Sequence, residues 1–187
     1  MYKTLRNHFE ETFDLTDKEF AFVLTQFKMQ DFKKGDFIFQ NGDQIKYVYF
    51  IISGLVKLIY FDKDANEHIV SFAMEDWWES DFNAFFTQSE ATYSLKCLEA
   101  TSVFYISLAG YRKLCEEIPK METFWLQKSN RGFVSSQRRI LSLLTANPKE
   151  RYEQFLKAYP SLAQRISKTQ IAAYLGVSRE TLSRLYS

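Results

Sequence analysis

The side chains best suited to chemistry stand near the end of the chain, in Ser178-Arg179-Glu180-Thr181 followed by Ser183 and Arg184. Arginine can donate two hydrogen bonds at once to the O6 and N7 acceptors of guanine, and glutamate can accept from the N4 amine of cytosine. Arg179 and Arg184 are five residues apart, so on a helix they point in different directions, about 140° apart around the axis. Lys168, Thr169 and Gln170 open the preceding apolar run. At a helix start they suit phosphate contacts, with the helix dipole adding to the attraction. The plain alternative is an ordinary helical hairpin with a charged face.

The elements that would position these groups can be read from the same segment. Residues after Ser167 form one helix, Gly176 sits just past its end, and Ser178 caps a second helix. Glycine at that point supplies the positive φ that ends the first helix. Ala172 is small where the two helices must cross, and Ile171, Leu175, Val177, Leu182 and Leu185 form a shared apolar seam. This is a helix-turn-helix, whose second helix enters the major groove by its N-terminal residues.

The charge distribution agrees. The 187 residues carry 24 Lys plus Arg and 23 Asp plus Glu, a formal net charge of +1. Residues 138–187 hold nine basic and three acidic side chains, a net +6, which leaves −5 for residues 1–137. A basic tail on an acidic body points the tail at a polyanion. Hydrophobic residues at 46% and aromatics at 17% supply a substantial core, and 6 Gly with 3 Pro leave little room for linkers.

Upstream the chain changes texture twice. Residues 2–13 and 16–27 read as short helices, with Thr16-Asp17-Lys18-Glu19 as a capping box. Residues 37–40, 47–52, 55–61, 68–72, 93–98 and 102–106 are β-rich runs separated by turn chemistry such as Asn41-Gly42-Asp43, the pattern of an all-β barrel or sandwich. The aromatic stretch 74–89 is irregular and has room for a short helix. From residue 108 helix returns: a short one over 109–117, then a stretch over 119–145 that is too long for one small barrel to bury. Asn147-Pro148 stops it, and a helix over 150–159 is closed by Pro160.

Three passages resemble the Crp/Fnr family of transcription regulators. Lys34-Gly35-Asp36-Phe37-Ile38-Phe39-Gln40-Asn41-Gly42-Asp43 is similar to the family's early β-roll motif, and Tyr47-Val48-Tyr49-Phe50-Ile51-Ile52-Ser53-Gly54-Leu55-Val56-Lys57 to its following strand–Gly–strand. Ser178-Arg179-Glu180-Thr181 with Arg184 resembles the recognition helix of the catabolite activator branch. The resemblance implies an α+β chain: an N-terminal double-stranded β-helix (a jelly-roll, cupin-like β-roll) with flanking helices, a long dimerisation helix and a C-terminal helix-turn-helix. It divides the chain into a cyclic-nucleotide-binding-like sensor over 1–117, a dimerisation helix over 118–145 and a DNA-binding domain over 146–187. It puts Arg179, Glu180 and Arg184 on base-reading positions of a homodimer that binds an inverted repeat in double-stranded DNA. RNA polymerase and a small-molecule effector of unknown identity complete the implied partners.

The chain departs from the family where a ligand would bind. Cyclic-nucleotide binders carry Gly-Glu, then Arg with Ser or Thr about ten residues later. Aligned without gaps, those positions fall here on Ser80-Asp81 and on Ala91-Thr92. Alanine cannot replace the bidentate donors that pair with a cyclic phosphate. No Lys or Arg lies between Lys63 and Lys96, and Glu79 and Asp81 would repel phosphate. The expectation is a protein that does not bind cyclic AMP in the usual way. Trp78, Ser80, Asp81, Ala91 and Thr92 are the candidate pocket residues. The aromatics of Trp77-Trp78-Glu79-Ser80-Asp81-Phe82 either line an apolar pocket or fill the roll.

Other chemistries fare poorly. An iron–sulfur sensor needs four thiolates, and the chain has Cys97 and Cys115. Two isolated histidines, His8 and His68, cannot build a cupin metal site, so no metal or cofactor is expected. With no nucleophile elbow, P-loop or Ser-His-Asp order, the chain does not read as an enzyme. The competing non-catalytic reading is a ligand-binding or dimerisation module without a specific DNA target. The N-terminus lacks the apolar core of a signal peptide, and residues 47–61 are too short and polar to span a membrane, so a cytoplasmic location with no membrane partner is expected. The chain stops at Ser187, at most ten residues into the second helix, as either a minimal reader or a shortened one.

Overall fold

The computed structural model describes residues 2–184, which divide into two compact units: 2–60 with 71–128, and 61–70 with 129–184. The first unit begins with two helices, α1 (Tyr2–Glu10) and α2 (Asp17–Gln26). Thr16 Oγ1 accepts from the backbone N–H of Glu19, and the Glu19 carboxylate accepts from the N–H of Thr16 at 2.8 Å, so the expected capping box forms. Lys120 Nζ reaches the same carboxylate at 2.9 Å. That hydrogen bond, with the Thr16 donors behind it, lowers the Glu19 carboxyl to about 2.

Eight strands follow: β1 (Phe27–Phe32), β2 (Phe37–Phe39), β3 (Tyr47–Ser53), β4 (Val56–Phe61), β5 (Glu67–Ala73), β6 (Trp78–Glu79), β7 (Ser94–Cys97) and β8 (Thr101–Ser107). They form two four-stranded sheets, in the orders β1-β8-β3-β6 and β2-β7-β4-β5. The ladders run antiparallel, with Phe50 opposite Phe104 and Val48 opposite Ile106 across β3 and β8. This is the expected β-roll. Helix α3 (Phe82–Thr87) fills the short-helix gap. The tip of the β4–β5 hairpin, residues 61–70, groups with the second unit.

Two strands were not legible in the sequence. β1 occupies the end of the helix expected over 16–27 and continues to Phe32, pairing along its whole length with β8. Only Phe27 in it is buried, so it has no alternation to reveal it; backbone hydrogen bonds to β8 hold it in place. β6 is two residues long and answers to Tyr49 and Phe50 of β3.

Strand β3 is buried at four successive positions, Val48 to Ile51, because both of its faces are covered. On one side of it the aromatics gather. The Phe50 ring lies 4.6 Å from His8 and 5.0 Å from Trp78, and Trp78 lies 4.7 Å from Trp125. Phe9 and Phe124 close the cluster at 4.7 Å from each other. Each such ring buries a large area and gains further from edge-to-face geometry. A good part of the chain's aromatic content therefore serves to seat α1 on the sheet.

Glu79 is the notable polar residue of this core. It is 6% exposed, accepts from Ser71 Oγ at 2.6 Å and from the N–H of Ser80 at 3.1 Å. Burial raises its carboxyl from 4.5 to about 7, against those two hydrogen bonds. The folded state then holds the proton more tightly than the unfolded one. The contribution of Glu79 to stability is therefore full below about pH 4.5 and is lost as pH rises through about 7, a change on the order of 3 kcal/mol. Glu79→Gln is expected to flatten that fall in thermal melts recorded across this window; an unchanged slope would place the ionised carboxylate in the native core.

The chain continues through α4 (Leu108–Glu117) and α5 (Lys120–Thr145), the expected long helix, one residue past Pro119. α6 (Pro148–Ala158) starts two residues earlier than the sequence suggests. Asn147 is its N-cap in a capping box with Glu150, and Pro148 takes the first turn, where its missing N–H costs nothing. Pro160 likewise opens a further helix, α7 (Pro160–Arg165), as well as ending α6. Then come α8 (Lys168–Leu175) and α9 (Arg179–Arg184). Among the described residues no helix is long and apolar enough to cross a membrane, and no group of three His, Cys, Asp or Glu could hold a metal ion.

Candidate nucleic-acid interface

The second unit carries the C-terminal motif. Ser167 Oγ accepts from the N–H of Gln170, and Gln170 Oε1 accepts from the N–H of Ser167 at 2.9 Å, so α8 starts in a capping box. Gln170 is thereby half-buried and engaged with its own helix, while Lys168 and Thr169 are exposed. Gly176 ends α8 at φ +65°, and its N–H bonds to Ala172 O. A Cβ there would meet nothing closer than 3.8 Å, so the backbone angle and not lack of space requires glycine.

Ser178 begins α9. Its Oγ accepts from the N–H of Thr181 at 3.1 Å and lies 3.0 Å from Thr181 Oγ1. The seam is closed by Ile171, Ala172, Leu175 and Leu182, each no more than 5% exposed. Leu185, the last seam position expected, lies outside the described residues. With Leu182 turned inward, Arg179, Glu180, Ser183 and Arg184 are left exposed, and Thr181 is half-buried. The Glu180 carboxyl is held below its usual range, first by its own backbone N–H, then by Ser178, and in smaller part by Arg179 and Arg184. Glu180 is therefore an ionised acceptor between two permanent donors, on a helix too short to stand without the seam.

The five candidate ligand residues of the roll are placed differently from one another. Asp81 is 1% exposed; it caps α3 by accepting from the N–H of Ala84 at 3.0 Å and accepts from the N–H of Thr92 at 2.8 Å. Ala91, also buried, exchanges backbone hydrogen bonds with Gly42 and Asp43. Ser80 Oγ donates to Tyr47 O at 2.9 Å. The ungapped count that matched residues 81 and 92 thus lands on two residues in contact. A protein carboxylate already takes backbone N–H groups at the start of α3 and at Thr92, and no arginine stands at Ala91. Trp78 belongs to the aromatic cluster instead, with its Nε1–H donated to His8 Nε2 at 3.0 Å.

A group of residues beyond the sequence reading also converges in the second unit. In the sequence Arg138, Arg139 and Arg151 count only toward the basic charge of residues 138–187. Here they line, with Arg131, a cavity of about 560 Å³. Spacing along α5 was the available signal: 131, 135, 138, 139 and 142 fall on one face of a helix.

The chain thus places a β-roll, a long helix and a helix-turn-helix in that order. Residues 29–118 match the cyclic nucleotide-binding domain. The chain is 28% identical to the transcriptional activator protein anr of Pseudomonas aeruginosa over 168 residues, 83% of this chain and 67% of that one. It is 27% identical to the electron transport regulator A of Shewanella oneidensis over 164 residues, 82% and 65% of the two chains. It spans about two thirds of the length of these curated relatives. Among solved structures, the global regulator CLP of Xanthomonas campestris superposes with a TM-score of 0.74 at 16% identity, covering 91% of this chain and 89% of that one. FixK2 of Bradyrhizobium japonicum superposes with a TM-score of 0.74 at 18% identity, covering 85% and 82%. These likenesses support the resemblance to the Crp/Fnr family of regulators.

Proposed function

We propose that this protein is a sequence-specific transcription regulator that binds an inverted repeat in double-stranded DNA as a homodimer, without control by cyclic AMP. The observation that carries the reading is the α8–Gly176–α9 motif, with a buried seam behind and Arg179, Glu180, Ser183 and Arg184 exposed in front. The kinship with transcription regulators supports it, and the role assigned is one of binding, not catalysis. Ser178, Thr181 and the start of α8, with Lys168, Thr169 and Gln170, would position the reader on phosphates. Arg179, Glu180 and Arg184 would read bases, with G·C-type pairs in each half-site.

Dimerisation is supported by α5. Leu126, Phe133, Ile140 and Leu144 are 57–78% exposed, and they recur at intervals of seven, seven and four along one stripe. Such a stripe is the seam of a two-helix coiled coil. Two readers placed by it would meet half-sites about one helical turn, ~34 Å, apart. In this reading residues 1–117 form the sensor-like body, 118–145 the dimer helix and 146–187 the reader. Independence from cyclic AMP is supported by alanine at the arginine position, Ala91, and by the Asp81 carboxylate taking the N–H groups of Ala84 and Thr92. Selection of bound sequences from random duplexes is expected to return an inverted repeat, sedimentation to give twice the chain mass, and calorimetric titration of cyclic AMP and cyclic GMP to give no binding at the roll. A micromolar dissociation constant at the roll would overturn the ligand part of the proposal.

A further inference from the structure

The cavity of about 560 Å³ lies wholly within the second unit, walled by α5, α6 and the last turn of α8. Its volume is in the range of small-molecule sites. Arg131, Arg138, Arg139 and Arg151 line it, with Tyr159 and Tyr174 among its aromatics, and its lining contains no carboxylate. Among the described residues no ion pair neutralises any of the four arginines. Four unpaired cations around one hollow repel one another, and an anion between them relieves that repulsion.

The donors are partly spent and partly spare. Arg139 donates to Val70 O and Ile69 O of the hairpin tip and to Tyr174 O, at 2.9–3.0 Å, with its guanidinium carbon 4.3 Å above the Tyr174 ring. Arg151 donates to Leu175 O at 2.8 Å. The Nε–H groups of both are buried without a hydrogen-bond partner. A guanidinium has five donors in a fixed fork, so each retains N–H groups for another acceptor. Arg131 and Arg138 are exposed and make no hydrogen bond among the described residues. The cavity face of α5 is also separate from the stripe proposed for dimerisation: at 3.6 residues per turn, 131, 135, 138 and 142 lie roughly half a turn from 126, 133, 140 and 144. A partner helix on one side leaves the other open.

We propose that this cavity binds a small organic monophosphate carrying a flat ring, with the phosphate on the arginines and the ring against the tyrosines. Arginine forks match phosphate oxygens bidentately, and stacking on an aromatic face tolerates many rings. Arg139 and Arg151 hold the carbonyls of Tyr174 and Leu175, the last two residues of α8, directly before the Gly176 turn. Occupancy would therefore act on the angle at which α9 is presented; that consequence rests on the DNA-binding reading, while the site itself does not.

The test uses the full-length protein without DNA. AMP and phenyl phosphate are titrated calorimetrically, with adenosine as the uncharged arm and inorganic phosphate as the ringless arm. The expected result is saturable binding of at least one of the two monophosphates, with both control arms weaker by about tenfold or more. The double variant Arg131→Ala/Arg138→Ala alters two exposed side chains, so it should keep its melting temperature and lose about tenfold or more in affinity. Arg179→Ala should bind as the parent does. No saturable binding of either monophosphate overturns the proposal, as does binding that the double variant leaves unchanged, which would place the ligand elsewhere. Loss of DNA binding by the protein would leave these outcomes untouched.

Discussion

Arg179→Ala is expected to weaken binding to the selected duplex by roughly ten- to a hundredfold, about 1–3 kcal/mol, and to relax the preference at one base pair of each half-site. Arg179 is the first residue of α9 and is exposed, while Leu182 one turn on is buried, so its fork is presented at the end of the helix that reaches a groove first. Its charge would also help on any duplex, which is why the comparison matters more than the loss itself. A phosphate contact would weaken binding to every sequence alike and reduce the salt dependence by about one counterion. Competition against duplexes varied one base pair at a time separates the two. Equal loss on the selected and the shuffled duplex would remove Arg179 from the base-reading set. Alanine retains the helix, since the start of α9 is fixed by Ser178 and the seam, so melting should be unaffected.

Gly54→Ala is expected to lower the melting temperature by about 10 °C, from a destabilisation on the order of 3–5 kcal/mol. Gly54 joins β3 to β4 at φ +102°, beyond the left-handed region open to other residues. A Cβ would stand 2.5 Å from Ala100 O and 2.5 Å from Thr101 Oγ1. The first of these is backbone, so the neighbour cannot swing away, and Thr101 opens β8, the strand that pairs with both β1 and β3. The N–H of Gly54 also donates to Glu75 Oε1 at 2.8 Å, which ties the turn further. Gly42→Ala makes the natural comparison. It too has positive φ, +87°, but a Cβ there meets nothing within 4 Å, so it should cost only the backbone strain. Equal losses for the two variants, read by circular dichroism melts, would show that the close approach at Ala100 carries no energy.

The reader was the most legible part of the chain because its signals are local. A glycine at a helix end, a serine at the next start and apolar residues at helical spacing specify a helix-turn-helix within twenty residues. The Thr16–Glu19 box and the long α5 were legible for the same reason. β1 was not, because five of its six residues face outward or only partly inward, and pairing with β8, about seventy residues away, decides its conformation. Pro148 and Pro160 act as helix openers, where their position in the chain suggested only stops. The aromatic stretch at 77–82 could be read either as pocket lining or as filler. Trp78 turned to His8 and Trp125, contacts that join the roll to α1 and α5 and that no local pattern encodes. Asp81 and Thr92 were matched by counting alone, and the hydrogen bond between the Asp81 carboxylate and the Thr92 N–H needed the three-dimensional contact to be seen. The arginine cavity escaped because its members come from two helices, each with an unremarkable charge pattern.

In the proposed function α9 reads sequence without a cyclic nucleotide. Fluorescence anisotropy of the full-length protein on its selected inverted repeat and on a shuffled duplex, at one fixed salt concentration, measures it directly. Binding to the repeat is expected to be tighter by about a thousandfold or more, unchanged when cyclic AMP is added. Equal affinity for the two duplexes, or preference for the repeat that appears only with cyclic AMP, would contradict it.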